Sequence, residues 1–214
     1  MALAARPQAG CRVPDAIRPA ATVILWRDGP AGPQVLMGLR GAGAVFMPSK
    51  YVFPGGGVDA GDRDAPQDIA LDPGCAARLA ALCPPGAPTP AALATAALRE
   101  LHEETGLRLT LTDAPALRFV FRAITPPGRP RRFDARFFLV PARHVAGDAQ
   151  DFTAASDELS HLHWVGLDQV RRLDLPFITE VVLAEVQAIL AGEVQPGVPF
   201  FDNSGDMPVF RRIL

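Results

Sequence analysis

The sequence predicts a single α/β domain, and three observations support this fold class. A chain of 214 residues is long enough to bury a substantial core within one domain. Hydrophobic residues make up 49% and charged residues 21%, close to the averages of globular proteins, so the composition indicates neither disorder nor a fibrous repeat. Short apolar runs typical of strands, bounded by Gly and Pro, alternate with longer stretches of helical periodicity.

The N-terminal part of the chain predicts an irregular arm followed by three strands. Residues 1–16 show no regular pattern, and the first strand is predicted over 20–27, where six apolar or β-branched residues follow one another. Further strands are predicted over 34–40 and 51–53. The glycines 55–57 are predicted to end the third strand, because consecutive glycines are poor strand interior.

Residues 63–88 predict an insertion outside the sheet. Five prolines interrupt this segment, at positions 66, 73, 84, 85 and 88, so it can form neither a core strand nor a long helix. A short helix over 74–82 is the only regular element that the pattern allows.

The strongest helix is predicted over 91–105. Thr89 is suited to cap its N-terminus, Pro90 fits the first helical position, and Gly106 is suited to end it in a left-handed conformation. The C-terminal half then predicts strands over 117–123, 132–140 and 161–165 and closing helices over 167–173 and 177–190. The last helix has four apolar residues roughly on one face: Phe177, Val181, Ala184 and Ile189.

Cysteine usage and charge limit the location and the partners. Cys11, Cys75 and Cys83 lack the spacing of zinc sites, and their odd number is typical of reduced thiols in the cytoplasm. No apolar run reaches the roughly 18 residues of a membrane span, and the N-terminus lacks the apolar core of a secretory signal. A net charge of −2 offers no general attraction to nucleic acid or membranes, so phosphate binding requires a local site. We therefore expect a cytoplasmic protein with a small-molecule partner, and homodimer formation is left open.

Three glutamates in the predicted helix 91–105 carry the main functional signal. Glu100, Glu103 and Glu104 stand at positions i, i+3 and i+4, so their carboxylates share one stripe of the helix. Like charges at this spacing destabilise an isolated helix by about 0.2–0.5 kcal/mol per pair, which favours a cation nearby. Oxygen ligands favour Mg²⁺ or Mn²⁺. The alternative is a solvated acidic face with Arg99 as its ion-pair partner.

The residues around these glutamates match a known motif. Residues 99–107, Arg-Glu-Leu-His-Glu-Glu-Thr-Gly-Leu, fit every specified position in the second half of the Nudix box. The first half is altered: Phe53-Pro54-Gly55-Gly56 resembles the family's loop, and Asp62 stands where the family has glutamate. A long spacer then precedes Arg99, so residues 63–88 interrupt the box. Over about residues 20–190 the chain resembles the Nudix hydrolases, and in particular a branch with an interrupted box, the peroxisomal coenzyme A diphosphatases of animals.

The resemblance implies a fold, a cofactor and a set of residues. The implied fold is an α/β/α sandwich with a mixed central sheet, with residues 1–214 forming one domain. Bound Mg²⁺ or Mn²⁺ would polarise a diphosphate and activate the water that attacks phosphorus. Arg99 would orient the carboxylates, and Glu103 and Glu104 would be catalytic as well as metal-binding. The implied metal ligands are Glu100, Glu103, Glu104 and the backbone carbonyl of Gly55.

Residues outside the helix are further candidates. Glu158, which precedes the Trp-containing strand, is a candidate extra ligand or general base, and the alternative is an exposed loop acid. Arg131 and Arg132 lie in an arginine-rich segment and could hold a substrate phosphate, or could belong to a solvated loop or structural ion pairs. Arg40 lies in a segment that partly resembles the coenzyme A motif of relatives. Phe53 could stack on a base or belong to the core.

The predicted activity is metal-dependent hydrolysis of the diphosphate linkage in a nucleoside-diphosphate-linked molecule. Coenzyme A or an acyl-CoA is the first substrate hypothesis, because of the interrupted box, and ADP-ribose or NADH is the alternative. A catalytically inactive nucleotide-binding regulator would be favoured by loss of the box carboxylates, and none is lost. An interaction protein with a merely acidic helix would not need the glycine loop at 55–57.

Overall fold

The computed structural model describes residues 16–65, 69, 71–110 and 116–214. Residues 1–15, which include Cys11 and nearly all of the predicted arm, lie outside this range, as do parts of the predicted insertion. The strands are β1 (Ile17–Gly29), β2 (Gly32–Arg40), β3 (Tyr51–Val52), β4 (Gly55–Gly57), β5 (Arg118–Ile124), β6 (Arg132–Pro141), β7 (Leu159–Gly166), β8 (Val198–Asp202) and β9 (Val209–Ile213). The helices are α1 (Ala60–Asp64), α2 (Pro73–Ala80), α3 (Pro90–Thr105) and α4 (Phe177–Leu190).

The strands of the described residues form one open, mixed sheet. Their order is β3-β2-β1-β6-β5-β8-β9, with β4 also paired to β1 and β7 to β2. The β1–β6 and β5–β8 pairs are parallel and the remaining pairs are antiparallel. The mixed α/β fold predicted from the sequence is confirmed.

Two apolar cores lie on opposite faces of this sheet. Because successive side chains of a strand point to opposite faces, Val23 and Leu25 of β1 join the core that contains α3, whereas Ile24 joins the core that contains α4. Helix, sheet and helix therefore form the three layers of an α/β/α sandwich. None of the helices in the described residues is long and apolar enough to span a membrane.

Helix α3 begins and ends as its sequence predicts. The side chain of Thr89 accepts a hydrogen bond from the amide of Ala92, Pro90 occupies the first turn, and Gly106 ends the helix with φ of 78°. Its buried residues are mostly small, and they allow the helix to lie close to the sheet. The capping and close packing of α3 fix the positions of its three glutamates on the sheet.

The described part of segment 63–88 contains the end of α1 and all of α2, and it contributes no strand. Helix α2 corresponds to the helix predicted over 74–82. Asp72 caps it by accepting a hydrogen bond from the amide of Cys75, and Leu79 packs into the core beneath α3. Cys75 and Cys83 are both free.

Several secondary-structure predictions are wrong. The glycines 55–57 form strand β4 instead of merely ending a strand, because pairing with β1 and the close approach of α3 outweigh the low strand propensity of glycine. Residues 167–173 contain only a 3₁₀ turn, Val170–Arg172, since so short a segment cannot nucleate an α-helix. The hairpin of β8 and β9, for which no element was predicted, extends the sheet beyond β5.

The predicted apolar face of α4 is also corrected. The helix buries Thr179, Val182, Leu183, Val186 and Ile189, so only Ile189 of the predicted set lies fully in the core. Phe177 is 68% exposed at the first turn and lines a large cleft instead.

Candidate active site

Arg99 of α3 is the centre of an ion-pair cluster. Its Nε and one terminal nitrogen donate to the two carboxylate oxygens of Asp62, each at 2.9 Å. The other terminal nitrogen donates to Glu100 at 2.8 Å and to Glu103 at 2.9 Å. A further hydrogen bond reaches the backbone carbonyl of Gly57 at 2.9 Å, so the guanidinium links α1, β4 and α3. These contacts support the orienting role of Arg99 rather than a plain surface pair.

Asp62 is a site residue whose role the sequence interpretation missed. Its side chain is 2% exposed, and besides Arg99 it accepts a hydrogen bond from the amide of Asp59 at 2.8 Å. Burial alone raises the pKa of Asp62, but the hydrogen bonds from Arg99 and Asp59 outweigh burial and hold the pKa below its usual range. The spacing of Asp62 from Gly56, where the box has glutamate, was the available signal. The shorter aspartate still reaches Arg99.

Glu104 is buried where α3 meets β4. It is 1% exposed, and its Oε2 accepts a hydrogen bond from the Gly55 amide at 2.7 Å, while its Oε1 has no partner. Burial raises the pKa of Glu104 to about 8; the carboxylates of Glu158 and Glu100 add to the rise, while Gly55 and Arg40 oppose it. The predicted contact with Gly55 is thus made by the amide, and a role for the Gly55 carbonyl remains a prediction.

Glu100 lies against the glycine strand. A Cβ added at Gly56 would lie 2.5 Å from the carboxylate of Glu100, so only glycine leaves room for that side chain. Burial raises the pKa of Glu100, and Arg99 lowers it. Glu103 differs from both neighbours, because its side chain is 54% exposed and can move without disturbing the fold.

Glu158 and Arg40 form an ion pair and line the cleft together with Glu100. One terminal nitrogen of Arg40 donates to Glu158 at 2.8 Å. The side chain of Glu158 is 54% exposed, and that of Arg40 is 19% exposed with its Nε left without a partner. The loop before Glu158 is tied to α3, since the Ser156 amide donates to the Glu103 carbonyl at 3.0 Å. The candidate general base therefore lies beside the box, in an ion pair.

A cleft of about 1390 Å³ lies beside the cluster, and of the three helix glutamates Glu100 lines it. Its lining includes the polar side chains of Glu100, Glu158 and Arg40 and aromatic side chains such as Phe133 and Phe177. It also includes basic residues that make no ion pair among the described residues. Two of them, Arg129 and Arg131, come from the loop before β6.

Two residues proposed for substrate contact are held by the fold. Arg132 is 9% exposed, and its nitrogens donate to the backbone carbonyls of Thr125 at 3.0 Å and Asn203 at 2.6 Å. The guanidinium is therefore engaged in joining β6 to the loop after β8. Phe53 is 4% exposed and packs in the core on the α4 side, and it also contributes to the lining of the cleft. Arg131 keeps its position at the cleft.

Arg136, further along the same arginine-rich segment, is also held by the fold. Arg136 is 1% exposed and pairs with Asp134, which also receives two hydrogen bonds of 2.8 Å from buried Arg122. Asp134 thus serves a structural network on β5 and β6 and does not neutralise Arg131. Period-two alternation along β6 buries Asp134 and Arg136 together.

The glutamate cluster suits a divalent cation, although its side chains do not converge as they stand. No three acidic, histidine or cysteine side chains of the described residues form a group that could hold a metal ion. Arg99 draws Glu100 and Glu103 towards itself, and rotation of the exposed Glu103 would be required. Two observations favour a cation: the buried Oε1 of Glu104 lacks any donor, and one guanidinium faces four carboxylates. The ligands would be Glu100, Glu103 and Glu104.

Replacing Asp62 with Asn tests the support of Arg99. We expect Asp62→Asn to lower the free energy of unfolding by about 1–3 kcal/mol at pH 7, because a buried charged partner of Arg99 is lost. Since the pKa of Asp62 is depressed, wild type should lose this advantage as the pH falls below 3.8, its ordinary value. Urea unfolding measures both effects. Asp59→Asn is the control, since Asp59 lies 3.8 Å from Arg99 and is 76% exposed, and an unchanged Asp62→Asn stability would refute the role.

Known proteins resemble this chain in sequence and in fold. A family model of the NUDIX domain matches residues 83–186. A crystal structure of a NUDIX hydrolase from Alicyclobacillus acidocaldarius is 27% identical, covering 83% of this chain and 92% of that one with a TM-score of 0.59. An Ap4A hydrolase of C. elegans, 16% identical, covers 82% and 99% with a TM-score of 0.52. The NUDIX domain of NrtR from Shewanella oneidensis, complexed with ADP ribose, is 14% identical and covers 82% and 89% with a TM-score of 0.53.

Proposed function

Because this chain is a Nudix-type hydrolase, we propose that it cleaves the diphosphate linkage of a nucleoside-diphosphate-linked small molecule, with coenzyme A or an acyl-CoA as the substrate. The observation that carries the proposal is the cleft of about 1390 Å³, which is lined by Glu100 and Glu158 and also by Arg129 and Arg131. Ligand pockets commonly measure about 300–1,000 Å³, so this cleft has room for a substrate of nucleotide-conjugate size.

The residues of this chain divide the work of hydrolysis. Glu100, Glu103 and Glu104 would hold Mg²⁺ or Mn²⁺, and a bound ion would supply positive charge for the diphosphate and lower the pKa of the attacking water. Arg99 fixes the direction of two of these carboxylates and is itself fixed by Asp62. Burial of Glu104 against the Gly55 amide keeps one carboxylate oxygen in place and leaves the other available.

Glu158 is the proposed acceptor of the water proton. Its negative charge raises the pKa of both Glu100 and Glu104. It lines the cleft and is accessible to solvent, as a general base that exchanges protons with water should be. No covalent intermediate is required by this arrangement.

The arginine side chains that line the cleft support a substrate with several anionic groups. Arg129 and Arg131 line the cleft without ion-pair partners in the described part of the chain, and Arg40 holds its partner through one nitrogen only. Coenzyme A carries a 3′-phosphate besides its diphosphate, so it offers one more group for a guanidinium to bind. Against a net charge of −2, this local cluster is the main source of attraction for an anion.

ADP-ribose and NADH are the alternative substrates. The NrtR domain from Shewanella oneidensis is complexed with ADP ribose on a comparable fold, but its identity of 14% extends the likeness to the fold alone. A catalytically inactive nucleotide-binding regulator is disfavoured because every glutamate of the helix motif is present.

A substrate panel tests the proposal. Coenzyme A, an acyl-CoA, ADP-ribose and NADH should be incubated with Mg²⁺ or Mn²⁺, and the products identified by mass. We expect phosphorylated halves from coenzyme A and no turnover in excess EDTA. Unchanged turnover in EDTA would refute the metal mechanism, and turnover of ADP-ribose alone would replace the proposed substrate.

Changing Arg131 tests whether its guanidinium binds the 3′-phosphate of coenzyme A. We expect Arg131→Ala to raise KM for coenzyme A about tenfold, roughly 1.4 kcal/mol of binding, and to raise KM for ADP-ribose less. The control is Arg118→Ala, which removes an exposed guanidinium from the neighbouring β5 outside the cleft. Steady-state kinetics with both substrates decides, and equal losses would place Arg131 on the shared diphosphate.

A further inference from the structure

Arg40 and Glu158 are joined at the end of two paired strands. Arg40 is the last residue of β2, Glu158 directly precedes β7, and Arg40 pairs with Leu159 in the antiparallel β2–β7 ladder. The backbone on both sides is fixed: the Arg40 amide donates to the Lys50 carbonyl at 3.0 Å, and the Ser160 hydroxyl donates to the Leu39 carbonyl at 3.2 Å. Only the two side chains are therefore free to change partners.

The ion pair between these side chains is incomplete. Glu158 accepts from a single terminal nitrogen of Arg40, although a guanidinium can present two parallel N–H donors to one anion. The Nε of Arg40 is buried and lacks a partner, which carries a free-energy cost. Since the Glu158 side chain is 54% exposed, the pair contributes little to stability. A phosphate that engages two nitrogens of Arg40 would be the better partner.

We propose that Arg40 and Glu158 form an exchangeable pair, in which a substrate phosphate takes Arg40 and thereby frees the Glu158 carboxylate beside the helix glutamates. This inference rests on the proposed function, because it assigns the phosphate to the same cleft. Before binding, Arg40 holds Glu158 and offsets its repulsion of the helix glutamates. After binding, the negative charge that held Arg40 is supplied by the ligand. Arg40 is then a positioning residue as well as a phosphate contact.

A binding cycle tests the exchange without turnover. The probe is methylenediphosphonate, whose bridging carbon resists hydrolysis, titrated calorimetrically in Mg²⁺ buffer into wild type, Glu158→Gln, Arg40→Gln and the double variant. Glu158→Gln should tighten binding roughly two- to fivefold, because the ligand no longer has to break the ion pair. An ion pair of up to about 1 kcal/mol corresponds to this factor. Arg40→Gln should weaken binding about tenfold, and in its background Glu158→Gln should give no gain.

The control variant is Asp157→Asn, which removes the same charge one residue away, also at the cleft but without an ion pair among the described residues. An equal gain from Asp157→Asn, or the same gain from Glu158→Gln in both backgrounds, would overturn the proposal and point to general charge removal. Weaker binding by Glu158→Gln, or no probe binding by wild type, would also overturn it. Circular dichroism checks folding, and Arg40→Lys, which keeps the charge but loses the fork, replaces Arg40→Gln if that variant does not fold.

The two hypotheses fail separately. Turnover in the substrate panel together with an additive binding cycle would leave the hydrolase function standing and remove the exchange. A non-additive cycle without turnover of any diphosphate substrate would leave the phosphate exchange standing and remove the proposed substrate class.

Discussion

Glu104→Gln is expected to lower kcat by about 10²-fold or more while the protein remains folded. The side-chain carbonyl oxygen of the glutamine can still accept the hydrogen bond from the Gly55 backbone amide, so the packing of α3 against β4 is retained. The negative charge needed beside the carboxylates of Glu100 and Glu103 is lost. Steady-state turnover of the best panel substrate, with Mg²⁺ at saturation, measures the effect. A rate near that of wild type would remove Glu104 from the site.

The same variant, although less active, should become more stable than wild type as the pH rises. The pKa of Glu104 is about 8 in the fold against an ordinary 4.5, so the folded metal-free protein binds an extra proton between these values. Wild type therefore loses stability as the pH rises from 4.5 to 8, whereas glutamine has no charge to bury. In EDTA, Tm of Glu104→Gln relative to wild type should rise across this window.

Glu103→Gln is the matched control for this measurement. Glu103 also carries a charge of the predicted metal site, but its side chain is 54% exposed, so we expect a comparable loss of kcat without the rising Tm difference. If both variants show the same melting behaviour at every pH, burial of the Glu104 charge is not the cause.

Gly56→Ala is expected to abolish most of the activity without unfolding the protein. The added Cβ would lie 2.5 Å from the carboxylate atoms of Glu100, and the least costly adjustment is to displace that flexible side chain. The displaced carboxylate can then neither bind Arg99 as before nor serve as a metal ligand. We expect a loss of about 10²-fold in kcat with a small change in Tm.

The neighbouring glycines provide matched controls. At Gly57 the nearest atom to an added Cβ is the Pro19 carbonyl oxygen at 4.0 Å, so Gly57→Ala should keep both activity and stability. At Gly55 the Cβ would meet the backbone of Ala21 and Thr22 at 2.5–2.6 Å, so Gly55→Ala should lower Tm as well as kcat. Equal activity of the Gly56→Ala and Gly57→Ala variants would contradict the close approach of α3 to β4.

The local features of α3 could be read from the sequence alone. Capping by Thr89 and the left-handed Gly106 depend on the preferences of single residues, and the stripe of Glu100, Glu103 and Glu104 follows from the helical repeat. The mixed α/β class followed from the order of strands and helices together with the resemblance to the Nudix hydrolases. These properties depend on residues within one or two turns of each other, so sequence spacing determines them.

Partners that are distant in sequence could not be predicted in this way. Asp62 lies 37 residues from Arg99, and nothing in its spacing shows that the intervening segment folds back to place both carboxylate oxygens on the guanidinium. Strand β4 exists because β1 supplies its hydrogen bonds, although the propensity of glycine opposes it. The hairpin of β8 and β9 likewise depends on the edge of β5.

Burial decided which of the charged residues were free to act. Arg131 and Arg132 are adjacent and identical in type, yet the first lines the cleft while the second donates to the carbonyls of Thr125 and Asn203. Glu103 and Glu104 are adjacent as well, but the side chain of Glu103 is 54% exposed, whereas Glu104 is 1% exposed and burial raises its pKa. The sequence determines which groups can carry charge and with what helical spacing. Tertiary packing determines which of them lose water, because desolvation depends on atoms contributed by distant segments.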